Sequence, residues 1–137
     1  MKSKIVISLI LALLILVILA TPALAAKPVT IELRGWSGGP TGPVVGKVSF
    51  QVTHDNHLKT TVVLTDGEPG VAYQISSTLN IVSGSPIFTT NNKGRGRISC
   101  ISNPSFSGTR TVNIYVRYAS GGGWLYGTES IEISFPT

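Results

Sequence analysis

The chain has 137 residues, with 11 Lys/Arg against 6 Asp/Glu, a formal charge of +5 and one cysteine. That length supports one hydrophobic core rather than two, and a single Cys excludes an intramolecular disulfide. If Lys2 and Lys4 leave with a cleaved leader, 9 basic and 6 acidic residues remain, about +3, too small an excess to warrant nucleic-acid binding.

Lys2 and Lys4 precede an apolar run from Ile5 to Ala20 broken only by Ser8, and Ala23-Leu24-Ala25 places small residues at the −3 and −1 positions of a cut. This is the anatomy of a secretory signal peptide, so the expected organisation is a leader at 1–25 and one domain at 26–137, secreted or held in the cell envelope. The rival is an uncleaved anchor over residues 5–26, long enough to span a bilayer if Pro22 is tolerated. In that case the leader is the domain's only membrane contact.

Beyond the leader, Val29, Ile31 and Leu33 alternate with Thr30, Glu32 and Arg34, which predicts a strand ending near Trp36. Ser37 to Pro43 holds three Gly and two Pro and reads as a loop. Val44 to Thr53 is a second strand, with Val48, Phe50 and Val52 on one face and Lys47, Ser49 and Gln51 on the other. His54 to His57 turns the chain into Leu58–Leu64, again alternating. Asp66-Gly67 and Pro69-Gly70 are turn dipeptides, and Val71, Tyr73 and Ile75 resume the alternation, so Leu58 to Ile75 is expected to be a hairpin. Ile87 to Thr90 leads into Asn91-Asn92-Lys93-Gly94, a hairpin tip with Gly94 in the left-handed region, and Arg95 to Ser102 returns. Val112, Ile114, Val116 and Tyr118 mark a late strand, and Ile131, Ile133 and Phe135 the last. No segment after the leader has apolar residues at helical spacing over three turns. Seven or eight strands in about 110 residues predict an all-β fold, an antiparallel sandwich of two sheets.

Pro69-Gly70-Val71-Ala72-Tyr73-Gln74-Ile75 resembles the P-G-x-x-Y-x-V/I corner of fibronectin type III and related immunoglobulin-like modules. The resemblance implies that the Tyr73 hydroxyl ties a sheet-to-sheet corner to nearby backbone. It also implies a spacer, adhesion unit or binding platform.

The residues that could carry chemistry are few. His54, Asp55 and His57 form a His-Asp-Asn-His turn, two imidazoles and a carboxylate that suit zinc or copper, or else a plain solvated turn. Cys100 shares parity with Ile98, which predicts a buried thiol; the alternative is a disulfide between chains. There is no Gly-x-Ser-x-Gly and no Cys beside an activating partner, so no enzyme is expected. No cofactor is implied. Trp36, Trp124 and Tyr126 flank Gly-rich loops, where aromatic rings stack on sugars or close over a core. Lys93, Arg95 and Arg97 make a basic tip for an anionic polysaccharide or lipid surface, or keep an edge strand from pairing. The N-terminal strand, followed by a Gly/Pro hinge, could also leave its sheet and complete another subunit's. The resulting expectation is a non-catalytic structural, adhesion or binding module of the envelope or exterior, with surface polysaccharide or envelope proteins as partners and self-association open. A small carbohydrate- or metal-binding protein and a donor-strand filament subunit are the alternatives.

Overall fold

The computed structural model describes residues 27–103 and 105–136. The expected leader at 1–25 and the anchor at 5–26 fall outside the described residues. Among these, no helix is long and apolar enough to cross a membrane.

The chain is all-β. Its elements are β1 (Val29–Gly35), β2 (Val44–Val52), β3 (Leu58–Leu64), β4 (Ala72–Ser77), a 3-10 turn (Thr78–Asn80), β5 (Ile87–Thr89), β6 (Gly96–Ser102), β7 (Gly108–Val112), β8 (Ile114–Tyr118), β9 (Tyr126–Gly127) and β10 (Ile131–Phe135). Eight strands form one antiparallel sheet in the order β5-β4-β8-β9-β1-β2-β3-β6, and β7 pairs with β10 in a small second sheet. The large sheet curls until its end strands β5 and β6 approach each other, so it is nearly barrel-shaped.

The two-residue period decides which side chains go inside. Val48, Phe50 and Val52 of β2 face inward with Leu58, Thr60, Val62 and Leu64 of β3, and Tyr73, Ile75, Ile114 and Val116 meet them from β4 and β8. Each large apolar side chain so buried contributes about 1.5–3 kcal/mol. Gly46 sits where the β2 and β3 backbones nearly touch, since a Cβ there would lie 2.0 Å from the Val63 carbonyl oxygen.

The expected hairpin from Leu58 to Ile75 does not form, and this is a correction. β3 pairs with β2 and β6, whereas β4 pairs with β5 and β8, so the segment from Thr65 to Val71 carries the chain between the two ends of the sheet. The turn dipeptides are real, but their hydrogen bonds run to the Asn91–Arg95 turn instead of across a two-strand ladder. Gly67 N–H donates to the Gly94 carbonyl (2.9 Å) and Gly70 N–H to that of Asn91 (3.2 Å). The buried Thr90 hydroxyl donates to the Glu68 carbonyl (2.5 Å) and accepts from Val71 N–H (3.0 Å). Glu68 N–H donates to the Tyr73 hydroxyl at 2.8 Å, tying the corner to backbone five residues upstream.

The tip at Asn91–Gly94 closes as expected, with Gly94 at φ +74° and Asn91 N–H bonded to the Arg95 carbonyl. Beyond it the strands part, β5 to β4 and β6 to β3. The late strand is two: β7 and β8 are separated by Asn113, and their partners β10 and β9 by Thr128 to Ser130. Buried Thr128 bridges that break, its N–H donating to the Ile114 carbonyl and its hydroxyl accepting from Ile114 N–H, both at 3.0 Å.

Candidate binding surface

On β8, Ile114 and Val116 point into the core, so Tyr115 and Arg117 point out. Trp36, just past the end of β1, is anchored by its N–H to the Leu125 carbonyl (2.9 Å), and its indole lies over Gly127 of β9. A Cβ at Gly127 would come within 2.5 Å of that ring, so only glycine leaves room for it. Trp36 meets Tyr115 edge-on at 5.3 Å, and Tyr115 stacks on Trp124 at 5.0 Å with an interplanar angle of 27°. The Arg117 guanidinium sits 5.7 Å from the centre of the Trp124 ring, and its Nε donates to Gln74 Oε1 at 2.9 Å. Trp124 stays 37% exposed. The result is an aromatic shelf with a fixed cation and an amide at its margin, groups that offer a flat apolar face and hydrogen bonds together.

Two of the three sequence-expected aromatics, Trp36 and Trp124, are therefore brought together. Tyr126 is not with them. It turns to the other side of β9, half-buried, with its ring 6.0 Å from Tyr73. Burial, and then its hydrogen bond with Tyr73, pushes its hydroxyl pKa well above the usual range. Tyr118 stacks on Tyr73 at 5.7 Å and donates to Glu68 Oε1 at 2.6 Å, which also raises its pKa. Tyr73, Tyr118, Tyr126 and Phe88 thus form an internal ring cluster behind the corner.

The histidine turn closes the β2–β3 hairpin. Thr53 N–H donates to the His57 carbonyl at 2.8 Å, and Asn56 takes φ +65°. Asp55 accepts from the Thr53 hydroxyl, which holds its carboxyl below the ordinary value, and lies 3.1 Å from His57 Nδ1. Among the described residues, no three His, Cys, Asp or Glu side chains converge as a metal ion requires. Cys100 is half-buried against the core with Ile98, and burial raises its thiol pKa. Glu32 and Glu129 line one hollow of about 600 Å³ beside β1, with Arg34 2.5 Å from Glu32.

Lys93, Arg95 and Arg97 are exposed where the basic tip was expected. Sequence reading missed Tyr115, Arg117 and Gln74 as members of the shelf. The alternation of Ile114 and Val116 already put Tyr115 and Arg117 outside, but nothing local tells that Trp36 and Trp124, 88 positions apart by subtraction, both pack against Tyr115. No family model matches the chain, and no curated protein or solved structure is detectably similar to it.

Proposed function

We propose that this chain is an exported, non-catalytic binding module that holds a surface glycan against the Trp36–Tyr115–Trp124 shelf. The observation that carries the reading is the Tyr115–Trp124 stack, left open on one exposed sheet face with Arg117 and Gln74 fixed beside it. A sugar ring stacks its C–H face on such a surface while amide and guanidinium groups take its hydroxyls. The leader pattern of residues 1–25 supports export. The architecture is read as an immunoglobulin-like sandwich, with β5-β4-β8-β9 packed against β1-β2-β3-β6. The corner hydrogen bond from Glu68 N–H to Tyr73 supports that finer description. In the donor-strand alternative β1 would serve another subunit; its six-position register with β2, from Val29 to Arg34, favours the self-contained form.

Binding of the purified domain to an array of neutral and acidic surface glycans tests the proposal. Trp124→Ala is expected to lower glycan affinity about tenfold without shifting the melting temperature by more than a few degrees. Equal binding by wild type and W124A would reject the shelf as the site. Intact-mass measurement on fractionated cells tests export: a chain beginning at Ala26 outside the cytoplasm supports it, and a full-length chain retained in the membrane points to the anchor.

A further inference from the structure

The other half of the sheet presents a different surface. On the outer face of β1, β2, β3 and β6 the registers set side chains in rows across the strands. One row reads Glu32, Lys47, Val63, Arg97, the next Thr30, Ser49, Thr61, Ser99. The following pair, Gln51 and Lys59, continues the pattern. Lys47, Lys59 and Arg97 line a single shallow hollow of about 250 Å³, and no carboxylate lines it. The ion pairs among the described residues, Arg34 with Glu32 and His57 with Asp55, leave these cations out. Glu32, opposite Lys47 in the register, is turned to Arg34 instead.

Burial of the core explains none of this. Each strand could satisfy its outer face with mixed charges, yet three of the nine basic residues beyond the leader share one hollow. Strand spacing puts Lys47 and Arg97, two strands apart, roughly 10 Å from each other along the row, with Lys59 roughly 13 Å from that row down β3. Between them runs a line of hydroxyls already hydrogen-bonded in pairs, Thr30 to Ser49 at 3.2 Å and Thr61 to Ser99 at 3.0 Å. Exposed Arg95 and Lys93 prolong the positive line past Arg97 toward the hairpin tip.

We infer that this hollow is a second binding site, independent of the aromatic shelf, whose ligand is an anionic polysaccharide carrying sulfate or carboxylate groups. The chemistry selects that class among polyanions. The hollow is concave, which suits a chain lying across strands better than a bilayer surface. No aromatic ring lines it, so a nucleobase has nothing to stack on. Its hydroxyl row offers hydrogen bonds in both directions to sugar hydroxyls, and the flanking cations take the acidic groups.

The test is titration of the purified domain with heparin and with polygalacturonate, beside neutral dextran, anionic phosphatidylglycerol vesicles and single-stranded oligothymidylate. Expected are binding to an anionic polysaccharide that weakens steeply with salt, no binding to dextran, and weaker binding to vesicles and oligonucleotide. Lys47→Gln with Arg97→Gln should lower the affinity about tenfold, and Lys59→Gln alone about threefold. Arg110→Gln, which removes the same single charge as K59Q but from a cation placed over Phe106, should leave it unchanged. Melting curves confirm that each variant is folded. Failure of both acidic polysaccharides to bind would overturn the site, as would equal losses in R110Q and the double variant, or preference for vesicles or oligonucleotide. W124A should keep polyanion binding intact, so loss there would overturn the independence of the two sites while leaving the shelf standing.

Discussion

The two ends of the large sheet are ordered in different ways. In the half built from β1, β2, β3 and β6, side chains alternate cleanly and β1–β2 and β2–β3 are connected by local turns, with β6 joining β3 from further along the chain. In the half built from β4, β5, β8 and β9, β4–β5 and β8–β9 are also neighbours in the chain, but the two pairs meet at the β4–β8 seam from distant parts of the sequence, and tyrosines tied by their hydroxyls brace that seam. The first half is specified by period and backbone closeness. The second depends in addition on side-chain hydrogen bonds at the corner, Tyr73 and Tyr118 with Glu68.

The largest break in this comparison is expected at Gly46→Ala in the first half. A methyl 2.0 Å from the Val63 carbonyl cannot be accommodated without separating β2 from β3, so a loss of about 3 kcal/mol or more is expected by chemical denaturation. Next comes Tyr73→Phe in the second half. It keeps the ring and removes the hydroxyl that accepts from Glu68 N–H and is hydrogen-bonded with Tyr126, for a loss of about 1–3 kcal/mol in the same assay. Thr90→Val should cost a similar or slightly smaller amount, since it deletes the buried hydroxyl joining Glu68 to Val71 while filling the same volume. Were Thr30→Val, with its hydroxyl exposed on the first half, to cost as much as T90V, the contrast between the halves would be lost.

A smaller effect separates the halves by pH. Tyr118 and Tyr126 have pKa values raised above the ordinary value near 10, so each favours the folded state with its phenol protonated. Their contribution is complete below about pH 10 and fades as pH rises through the folded-state values. Absorbance titration of the phenols together with denaturation at rising pH should show both, and Tyr118→Phe should flatten part of the alkaline loss. Asp55 supplies the acid counterpart in the first half. Its pKa is lowered, chiefly by the Thr53 hydroxyl, so its contribution is present above the usual carboxylate value and lost as pH falls through the lowered one. Asp55→Asn should make the acid limb shallower.

The candidate sites were legible in unequal measure. Lys47, Ser49 and Gln51 are visibly on the outer side of one strand, and Lys59 and Thr61 on that of the next, so the sequence places the pieces of the basic hollow on solvent faces. That Arg97 joins them depends on β6 leaving its hairpin partner to pair with β3, which no local pattern encodes. The shelf was half legible: Trp36 and Trp124 stood out by residue type, whereas Tyr126 has the same type but the opposite face.

By itself, the sequence determined most of the strands and their buried faces, though not β9 or the break between β7 and β8, together with the turn at His54–His57 and the left-handed glycine at the Asn91 tip, because each follows from the two-residue period and the φ preferences of single residues. Only the tertiary structure decided that Leu58–Leu64 and Ala72–Ser77 part company instead of forming a hairpin. Turn residues such as Asp66-Gly67 and Pro69-Gly70 permit a reversal or a crossing equally well. The choice went to the arrangement in which both strands are paired on both edges and the corner's backbone groups are satisfied by Thr90, Gly94 and Tyr73.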